Sequence, residues 1–561
     1  MKRVVGAVAG VSVLCAGLVV GQGGAPAGAT TEAAAGLPQE QVSWGPCEPA
    51  PASGALGAVL GSLRGAARPA QPAPALRRAQ PVECASVRVP LDPAVPYGQQ
   101  ITLALNRIRG TASRDHNHLG PLLVNPGGPG ASGLKLAEYV AAKLPKDLAA
   151  RFDVIGFDPR GVGASKPAVN CVDAKSYYAA PRPDNVPVTA ADEGDLLVRA
   201  RQYAEGCANR WGWFLPYLTT ENTARDLEAI RQALGEEKLS FLGYSYGSYL
   251  GAVYASLFPD RVRRMILDSL VDPGNVWYEA NLSQDYAFDR RHKEFLAWVA
   301  RNHATYRIGD TAKAVEFAYY AMRQRLRERP AGGLIGPSEL DDIYTVGGYS
   351  NQIWPKLAAA FSGYVRRGDV TGLTEAYQQH ADHNAVQENS YAVYLGVQCR
   401  DAAWPRDWTR WRADTRRVHA AAPFLAWPNT VYNAPCLFWP EPGLTPPKVG
   451  ATGQLPPILL VQSRRDAATP YQGAVNVRDL FPSARLLAEG GGNHGVSFAG
   501  NPCVDRQVAD YLREGVLPMP RTAAREADLN CPGRKAPRAG VPAAAAAPAH
   551  AGLTRLLAPV R

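Results

Sequence analysis

Residues 239–250 read Leu-Ser-Phe-Leu-Gly-Tyr-Ser-Tyr-Gly-Ser-Tyr-Leu, which indicates a short apolar strand, a tight turn and the start of a helix. The turn contains the G-x-S-x-G motif of Gly243 to Gly247. Glycines at these positions leave room where a Cβ would strike the neighbouring strand or helix. Such a turn lifts the serine hydroxyl out of a sheet and places it at a helix N-terminus. The stretch therefore predicts a nucleophile elbow at Ser245 rather than an ordinary Gly/Ser turn.

The sequence around the elbow alternates between strand and helix patterns. Residues 219–235 form an amphipathic helical pattern that Thr220 or Asn222 could cap and that Gly235 ends. Alternation over residues 121–271 predicts an α/β fold, with a mostly parallel sheet covered by helices on both faces. The predicted strands span residues 84–90, 101–107, 121–125, 151–157, 239–244, 264–270, 457–462 and 484–488.

The strand pattern stops after the elbow region and gives way to a helical, aromatic stretch that predicts a cap domain inserted into the sheet domain. The tail is rich in Ala and Pro and predicts disorder. The predicted division is 1–29 signal peptide, 30–81 N-terminal extension with an Ala/Pro/Gly-rich insertion, 82–271 first part of the core, 272–425 helical cap, 426–535 C-terminal part of the core and 536–561 disordered tail.

The N-terminus has the three parts of an export signal. A charged start at Met1–Arg3 precedes an apolar stretch, Val4–Val20, and a small-residue cleavage site at Ala27–Ala29. We therefore expect a secreted protein with no membrane span in the mature chain. The net charge is +10, but Lys and Arg are scattered without a basic run interleaved with aromatics, so we expect no nucleic-acid partner.

Removing the signal also removes Cys15 and leaves an even number of cysteines, which in an exported chain indicates disulfide bonds. Sequence alone allows many connectivities. We expect pairing between sequential neighbours, because each couple encloses a local loop. No C-x-x-C accompanies them, and His380 and His383 are interpreted as a solvated helix face, so no metal or other cofactor is expected. The remaining cysteines are Cys47, Cys84, Cys171, Cys207, Cys399, Cys436, Cys503 and Cys531.

A glycine-rich loop, Pro126–Gly133, follows the buried strand at residues 121–125. Its glycines allow the backbone to approach a ligand closely. In α/β-hydrolases the loop after this strand gives one oxyanion N–H, and the residue after the nucleophile gives the other. Gly128 and Tyr246 are therefore the expected oxyanion donors, with Gly127 as the near alternative.

A serine nucleophile needs a histidine base and a carboxylate that orients the base, in the chain order Ser, acid, His. His494 follows a strand and lies among glycines, whereas His550 lies in the tail, where nothing would hold it. Asp466 follows an apolar strand and is the expected acid, with Asp268 as the alternative. The expected reaction passes through an acyl-enzyme.

Several motifs together resemble the secreted tripeptidyl aminopeptidases of actinobacteria, which are relatives of prolyl aminopeptidase with an α/β-hydrolase fold and a TAP-like C-terminal segment. The resemblance implies removal of short peptides, expected to be tripeptides, from free N-termini, and Ser245, Asp466 and His494 match the family's triad. It runs from about Trp44 to Cys531. The motifs are Asn125–Gly130, Asp158–Gly163, the Ala-Leu-Gly ending at Gly235, Gly243–Gly251 and Asp466–Pro470.

The resemblance also implies that acidic cap residues hold the substrate's ammonium group, and the candidates are Glu279, Glu294 and Asp401. We expect a monomer that acts on peptides with a free amino terminus. Two alternatives stay open: a secreted esterase or amidase acting on small acyl substrates, and a non-catalytic binding protein of the same fold. An acidic pocket near the elbow favours the peptidase and a wholly apolar one the esterase, while an intact Ser, Asp and His set disfavours a binding protein.

Overall fold

In the computed structural model, ten strands form one sheet in the order β1-β2-β3-β5-β4-β6-β7-β8-β9-β10. The model describes residues 41–47, 81–112, 114, 117–451, 453–520, 526–540 and 548–557. The predicted signal peptide and the insertion at 51–80 lie outside these residues. The strands are β1 (Gly45–Pro46), β2 (Val82–Pro90), β3 (Gln100–Ile108), β4 (Gly120–Asn125), β5 (Phe152–Asp158), β6 (Leu239–Tyr244), β7 (Val262–Asp268), β8 (Leu459–Ser463), β9 (Arg485–Glu489) and β10 (Leu529–Cys531).

The pairing is antiparallel from β1 through β3 to β5 and parallel from β5 to β10. The middle strands β4 and β6 are buried along their whole length. Helices cover both faces of this sheet. Up to residue 514, the helices outside the long connection between β7 and β8 are α1 (Leu134–Lys143), α2 (Lys146–Arg151), α3 (Ala174–Tyr177), α4 (Ala190–Trp211), α5 (Thr220–Ala233), α6 (Tyr246–Leu257), α16 (Tyr471–Leu480) and α17 (Pro502–Glu514), with short 3₁₀ helices at Leu215–Tyr217 and Pro259–Arg261.

Alternate residues of the middle strands contribute side chains to two separate apolar cores, as expected for a sheet covered on both sides. Leu123 and Phe241 pack into the core that contains Leu227 of α5. Leu122 and Leu242 pack into the core on the opposite face, which contains residues of α1 and α17. The predicted mostly parallel sheet with helices on both faces is confirmed.

The N-cap of helix α5 lies one residue before Thr220, the nearer of its two predicted caps. Thr219 is the N-cap, and its Oγ1 accepts the backbone N–H of Asn222 at 3.1 Å. The prediction of Thr220 or Asn222 as the cap is wrong, because the extended backbone of Thr219 directs its hydroxyl at the free N–H groups of the first turn. The side chain of Thr220 is therefore available for another contact. Gly235 follows the helix in a left-handed conformation, with φ +72°.

The helical cap is inserted between β7 and β8 and has a core of its own around Phe295, Tyr319 and Trp354. The predicted end of the cap at residue 425 is wrong. Ala426, at the start of α15, is buried with Val418 of α14, so the cap continues through that helix. The cap helices are α7 (Tyr278–Arg301), α8 (His303–Tyr306), α9 (Ala312–Glu328), α10 (Pro337–Tyr349), α11 (Trp354–Arg367), α12 (Thr371–His380), α13 (Ala385–Asp401), α14 (Trp408–Ala421) and α15 (Ala426–Asn433), with 3₁₀ helices at Asn351–Ile353 and Ala434–Phe438.

Helix α4 leaves the sheet and joins the cap, although the predicted division places it in the core. It packs against α15 and the 3₁₀ helix that follows α15. Its Glu193 accepts hydrogen bonds from Trp408 and Arg412 of α14. The roof over the sheet is therefore built from two insertions, one after β5 and one after β7.

Within the part of the chain that the structure describes, four disulfide bonds join the cysteines in sequential couples, which is the expected pairing. The bonds are Cys47–Cys84, Cys171–Cys207, Cys399–Cys436 and Cys503–Cys531. Such bonds are typical of proteins from oxidising compartments. The described helices include none with an apolar stretch long enough to cross a bilayer.

The predicted disordered tail contains a helix, α18 (Pro548–Leu557). Leu553 and Leu557 are buried, with 0% and 4% of their surface exposed. Their spacing of four residues places both on one face of the helix, and that face packs on α1 and on Gly495. The expectation of disorder is therefore wrong for residues 548–557, because burial of two leucines stabilises this short helix.

Candidate active site

Ser245 lies between β6 and α6 in a backbone conformation that residues other than glycine rarely adopt, with φ 56° and ψ −126°. Its backbone N–H donates to the carbonyl of Asp268 at 2.9 Å. A Cβ on Gly243 would lie 2.2 Å from the carbonyl oxygen of Gly247. The glycines of the motif thus permit the close strand-to-helix contact that holds Ser245 in place.

His494 and Asp466 are brought together by the loops after β9 and β8. The Nδ1 atom of His494 lies 3.0 and 2.9 Å from the two carboxylate oxygens of Asp466. Asp466 is fixed in turn, because its Oδ1 accepts the backbone N–H groups of Ala468 and Thr469. Both the His494 and the Asp466 side chains are fully buried. This contact fixes the tautomer in which Nδ1 carries the proton and Nε2 is free to accept one.

The other nitrogen of the ring is available for chemistry. His494 Nε2 is buried and has no hydrogen-bond partner among the described residues. The ring edge packs on Tyr349, with centroids 5.4 Å apart, and the backbone N–H of His494 donates to the Tyr349 carbonyl at 2.9 Å. A buried polar atom without a partner costs free energy unless it has a function. Nε2 is thus in the state that a general base for a serine hydroxyl requires.

Asp268 lies beside this loop but does not contact the imidazole ring. Its carboxylate accepts the backbone N–H groups of Val496 at 3.1 Å and Ser497 at 2.6 Å, and the hydroxyl of Ser269 at 3.0 Å. Burial raises the pKa of the Asp268 carboxyl above its ordinary value. Asp268 therefore fixes the backbone that follows His494, and the geometry favours Asp466 as the orienting acid.

The glycine-rich loop after β4 contains two candidate oxyanion donors, Gly127 and Gly128, and their surroundings differ. Gly127 and Gly128 have φ values of +95° and +104°. The N–H of Gly127 donates to Asn125 Oδ1 at 2.9 Å, so this donor is already occupied. Gly128 lines the same cavity as Ser245 and Tyr246. Gly128 is therefore the remaining candidate donor of this loop, and it lines the cavity together with the first residue of α6.

A cavity of about 180 Å³ lies over Ser245 and is roofed by the cap. Asp272 is the one carboxylate among the described residues that line it. The Oδ2 atom of Asp272 accepts Asn275 Nδ2 and Asn476 Nδ2, both at 2.7 Å, and its Oδ1 accepts the N–H of Gly274 at 3.0 Å. The other lining side chains are uncharged, and they include Trp277, Asn281, Gln284, Tyr349, Tyr394, Gln398, Tyr432 and Leu557.

The structure does not bring the three acidic residues expected to bind the substrate amine to this cavity. Glu279 lies at the surface with 58% of its side chain exposed and pairs with Arg410. Glu294 pairs with Arg291 and Arg465. Asp401 is buried and hydrogen bonded to Thr220. None of the three lines the cavity. The carboxylate that does is Asp272, which sequence reasoning missed because it lies in the turn just after the strand that ends at Asp268.

No group of three or more His, Cys, Asp or Glu side chains is placed to bind a metal ion in the part of the chain that the structure describes.

Comparison with known proteins shows which family this chain resembles in sequence. A family model for the alpha/beta hydrolase fold matches residues 120–500, which include Ser245, Asp466 and His494. Tripeptidyl aminopeptidase from Streptomyces lividans is 46% identical over 82% of this chain and 85% of its own length. Serine protease Hip1 and Carboxylesterase B from Mycobacterium tuberculosis are each 34% identical over 78% of this chain, covering 86% and 85% of their own lengths. The similarity extends through the sheet and the cap.

Proposed function

The chain belongs to the α/β-hydrolase family and, within it, to the tripeptidyl aminopeptidases, and from this premise we propose that it releases tripeptides from the free N-termini of peptides. It is a serine hydrolase of the aminopeptidase type. We also propose that it is exported and acts outside the cell after the signal at residues 1–29 is removed. The similarity to tripeptidyl aminopeptidase over both the sheet domain and the cap supports the substrate class.

In the proposed reaction, Ser245 Oγ attacks the scissile carbonyl carbon while His494 Nε2 takes its proton. Asp466 keeps the ring in the required tautomer and stabilises the imidazolium that forms. The N–H groups of Gly128 and Tyr246 bind the oxyanion of the tetrahedral intermediate. His494 then gives the proton to the departing amine, and water hydrolyses the acyl-enzyme by the same route.

The observation that carries the proposal is the cavity over Ser245, because it is roofed by the cap and holds a carboxylate at its wall. A charged ammonium inside such a cavity needs an anionic partner, since an unpaired buried charge is costly. We assign this role to Asp272, whose Oδ1 has room for a further hydrogen bond beside the one from Gly274. An internal peptide bond presents an uncharged amide at that position and would leave Asp272 without its counter-ion.

The test compares Ala-Pro-Ala-p-nitroanilide with its N-acetylated form. We expect cleavage of the free-amine substrate only, and loss of cleavage in Ser245→Ala. Asp272→Asn should raise KM for the free-amine substrate with a smaller change in kcat, because the ammonium contact is made in the ground state and the transition state alike. Glu279→Gln is the matched control, since it removes a carboxylate from the same end of the cap outside the cavity. Equal cleavage of the acetylated substrate would contradict the proposal.

A serine esterase is the second candidate, and the similarity to Carboxylesterase B favours it. Hydrolysis of p-nitrophenyl butyrate without hydrolysis of any free-amine peptide would establish it. A non-catalytic binding protein would turn over neither substrate, and the buried, oriented pair of His494 and Asp466 argues against that outcome.

A further inference from the structure

Asp401 ends helix α13 and is buried without a Lys, Arg or His partner among the described residues. Its Oδ1 accepts the backbone N–H of Thr220 at 2.8 Å, and its Oδ2 accepts the Thr220 hydroxyl at 2.5 Å. Thr220 is the first residue of α5, so the carboxylate lies at the positive end of that helix. This placement explains how the cap retains a buried carboxylate at its contact with the core.

The contact continues from Thr220 to the elbow. Thr220 Oγ1 lies 2.8 Å from the hydroxyl of Tyr246. The Thr220 hydroxyl proton is directed at Asp401, and a carboxylate accepts hydrogen bonds, so Tyr246 has to be the donor to Thr220. A directional chain therefore runs from Tyr246 through Thr220 to Asp401. Tyr246 is the residue whose backbone N–H forms one half of the proposed oxyanion hole.

The other half of the oxyanion hole touches the same helix. The carbonyl oxygen of Ser390, in α13, would lie 2.3 Å from a Cβ on Gly130. Only a glycine therefore allows α13 to pack this closely on the loop that carries Gly128. Between these two contacts, Tyr394 and Gln398 of the same helix line the cavity.

Four positions of α13 thus form one functional face. Residues 390, 394, 398 and 401 recur at intervals of four, four and three, which is the spacing of one side of an α-helix. One end of the face packs at Gly130 on the loop that carries Gly128, and the other end reaches the Tyr246 side chain through Thr220. Its middle lines the cavity. One cap helix is therefore linked to both loops of the oxyanion hole and to the cavity.

We propose that α13 aligns the oxyanion hole and that Asp401 is a positioning residue, which holds the Tyr246 N–H in place through Thr220. The inference rests on the proposed function, because it concerns the same acyl transfer. Asp401 in this role touches neither substrate nor the reacting atoms. It stabilises the transition state by fixing a donor that does.

The test is Asp401→Asn, which keeps the shape of the side chain and removes the charge-assisted acceptor of the Thr220 hydroxyl. We expect kcat for Ala-Pro-Ala-p-nitroanilide to fall about tenfold to a hundredfold with KM changed less than about twofold, because a misplaced oxyanion donor weakens only the transition state. Affinity for the tetrahedral analogue Ala-Pro-boroAla should fall by the same factor as kcat/KM. Affinity for the product Ala-Pro-Ala should stay the same.

Glu388→Gln is the matched control. Glu388 is a second buried carboxylate on α13, and it accepts the N–H of Cys171 at 2.8 Å and the hydroxyl of Tyr203 at 3.0 Å. We expect this variant to keep the kcat of the unmodified enzyme. Tyr246→Phe removes the first link of the chain, and its effect on kcat should not add to that of Asp401→Asn in the double variant.

Three results would overturn the inference: equal kcat losses in Asp401→Asn and Glu388→Gln, a rise in KM without a fall in kcat, or additive effects of the two chain variants. If Asp401→Asn does not fold, Tyr246→Phe alone must show the loss of boronate affinity. The same variants are assayed with p-nitrophenyl butyrate, which uses the same oxyanion hole. An enzyme active on the ester alone would refute the exopeptidase proposal while the inference about Asp401 is still tested.

Discussion

Two aspartates hold the segment around His494, and they act on different atoms. Asp466 contacts the ring nitrogen Nδ1, whereas Asp268 binds the backbone N–H groups of Val496 and Ser497. One contact selects the tautomer of the base and the other fixes the path of the chain. Substitution at the two positions should therefore be separable by kinetics and stability.

Asp466→Asn should lower kcat by about 10⁴-fold, the loss that the equivalent change causes in chymotrypsin-type proteases, because the amide favours the wrong tautomer of the histidine. The melting temperature should change little, since the shape of the side chain is kept. Steady-state kinetics with the free-amine anilide measures the first effect and thermal unfolding the second.

Asp268→Asn is the informative comparison. The amide NH₂ of the asparagine would replace one carboxylate oxygen and face the donors that this oxygen accepts. A buried donor left without an acceptor costs about 1–3 kcal/mol. We expect a clear loss of thermal stability and a smaller loss of kcat than in Asp466→Asn. The reverse ranking of the two kcat values would assign the orienting role to Asp268.

Asp401 also gives a prediction about pH. Burial raises the pKa of the Asp401 carboxyl from 3.8 to about 7. Between these values the folded protein binds the proton more tightly than the unfolded chain, so the contribution of Asp401 to stability falls as the pH rises through this window. The stability of the unmodified protein relative to Asp401→Asn should therefore decrease from pH 4 to pH 7, by on the order of 4 kcal/mol, and stay constant above. Urea unfolding at several pH values measures it, and a difference independent of pH would contradict the shift.

At the scale of elements, α18 forms one side of the cavity, because Leu557 lines it and packs on Gly495 next to His494. Leu553→Asp should detach this helix, since an unpaired charge is costly at a buried site. We expect faster amide hydrogen exchange over residues 548–557 and a higher ratio of kcat/KM for bulky over small tripeptide anilides. Arg555→Ala, at an exposed position of the same helix, is the control. Unchanged exchange in the Leu553 variant would show that α18 does not depend on this contact.

The sequence predicts elements well where a local pattern determines them. Apolar runs next to turn residues locate the strands that carry Ser245 and Asp466 within a few residues. The Ala- and Pro-rich tail hides the three leucines of α18, at 553, 556 and 557, because a single set spaced i, i+3, i+4 is too short to establish a periodicity. The sequence offers Glu279, Glu294 and Asp401 as amine ligands and not Asp272 for a similar reason: the direction in which a carboxylate points is set by packing of the cap, and no local pattern indicates it.

At the scale of the molecule, the insertion after β7 roofs the cavity and the insertion after β5 packs against it. Helix α4 comes from the loop after β5, and α7 to α15 come from the connection after β7. Contact between the insertions at Glu193 and Trp408 joins them. On the proposed function, a long polypeptide enters the covered cavity by one end, and Asp272 binds the ammonium at that end.

A twelve-residue peptide with a free N-terminus should be shortened by three residues at a time, giving a ladder in mass spectrometry. The N-acetylated form of the same peptide should stay intact, because its first residue carries no charge for Asp272. Fragments that begin at the original N-terminus and are longer than three residues would indicate internal cleavage and contradict a closed cover.

The order of the disulfide bonds along the sequence affects how this protein can form them. Each bond joins one cysteine to the next in the sequence, so each bond can form before any later couple of cysteines is present. A chain that enters an oxidising compartment N-terminus first can thus oxidise each couple before the following couple emerges. Native pairing then follows the order of translocation, and reshuffling by a disulfide isomerase is not required to reach it.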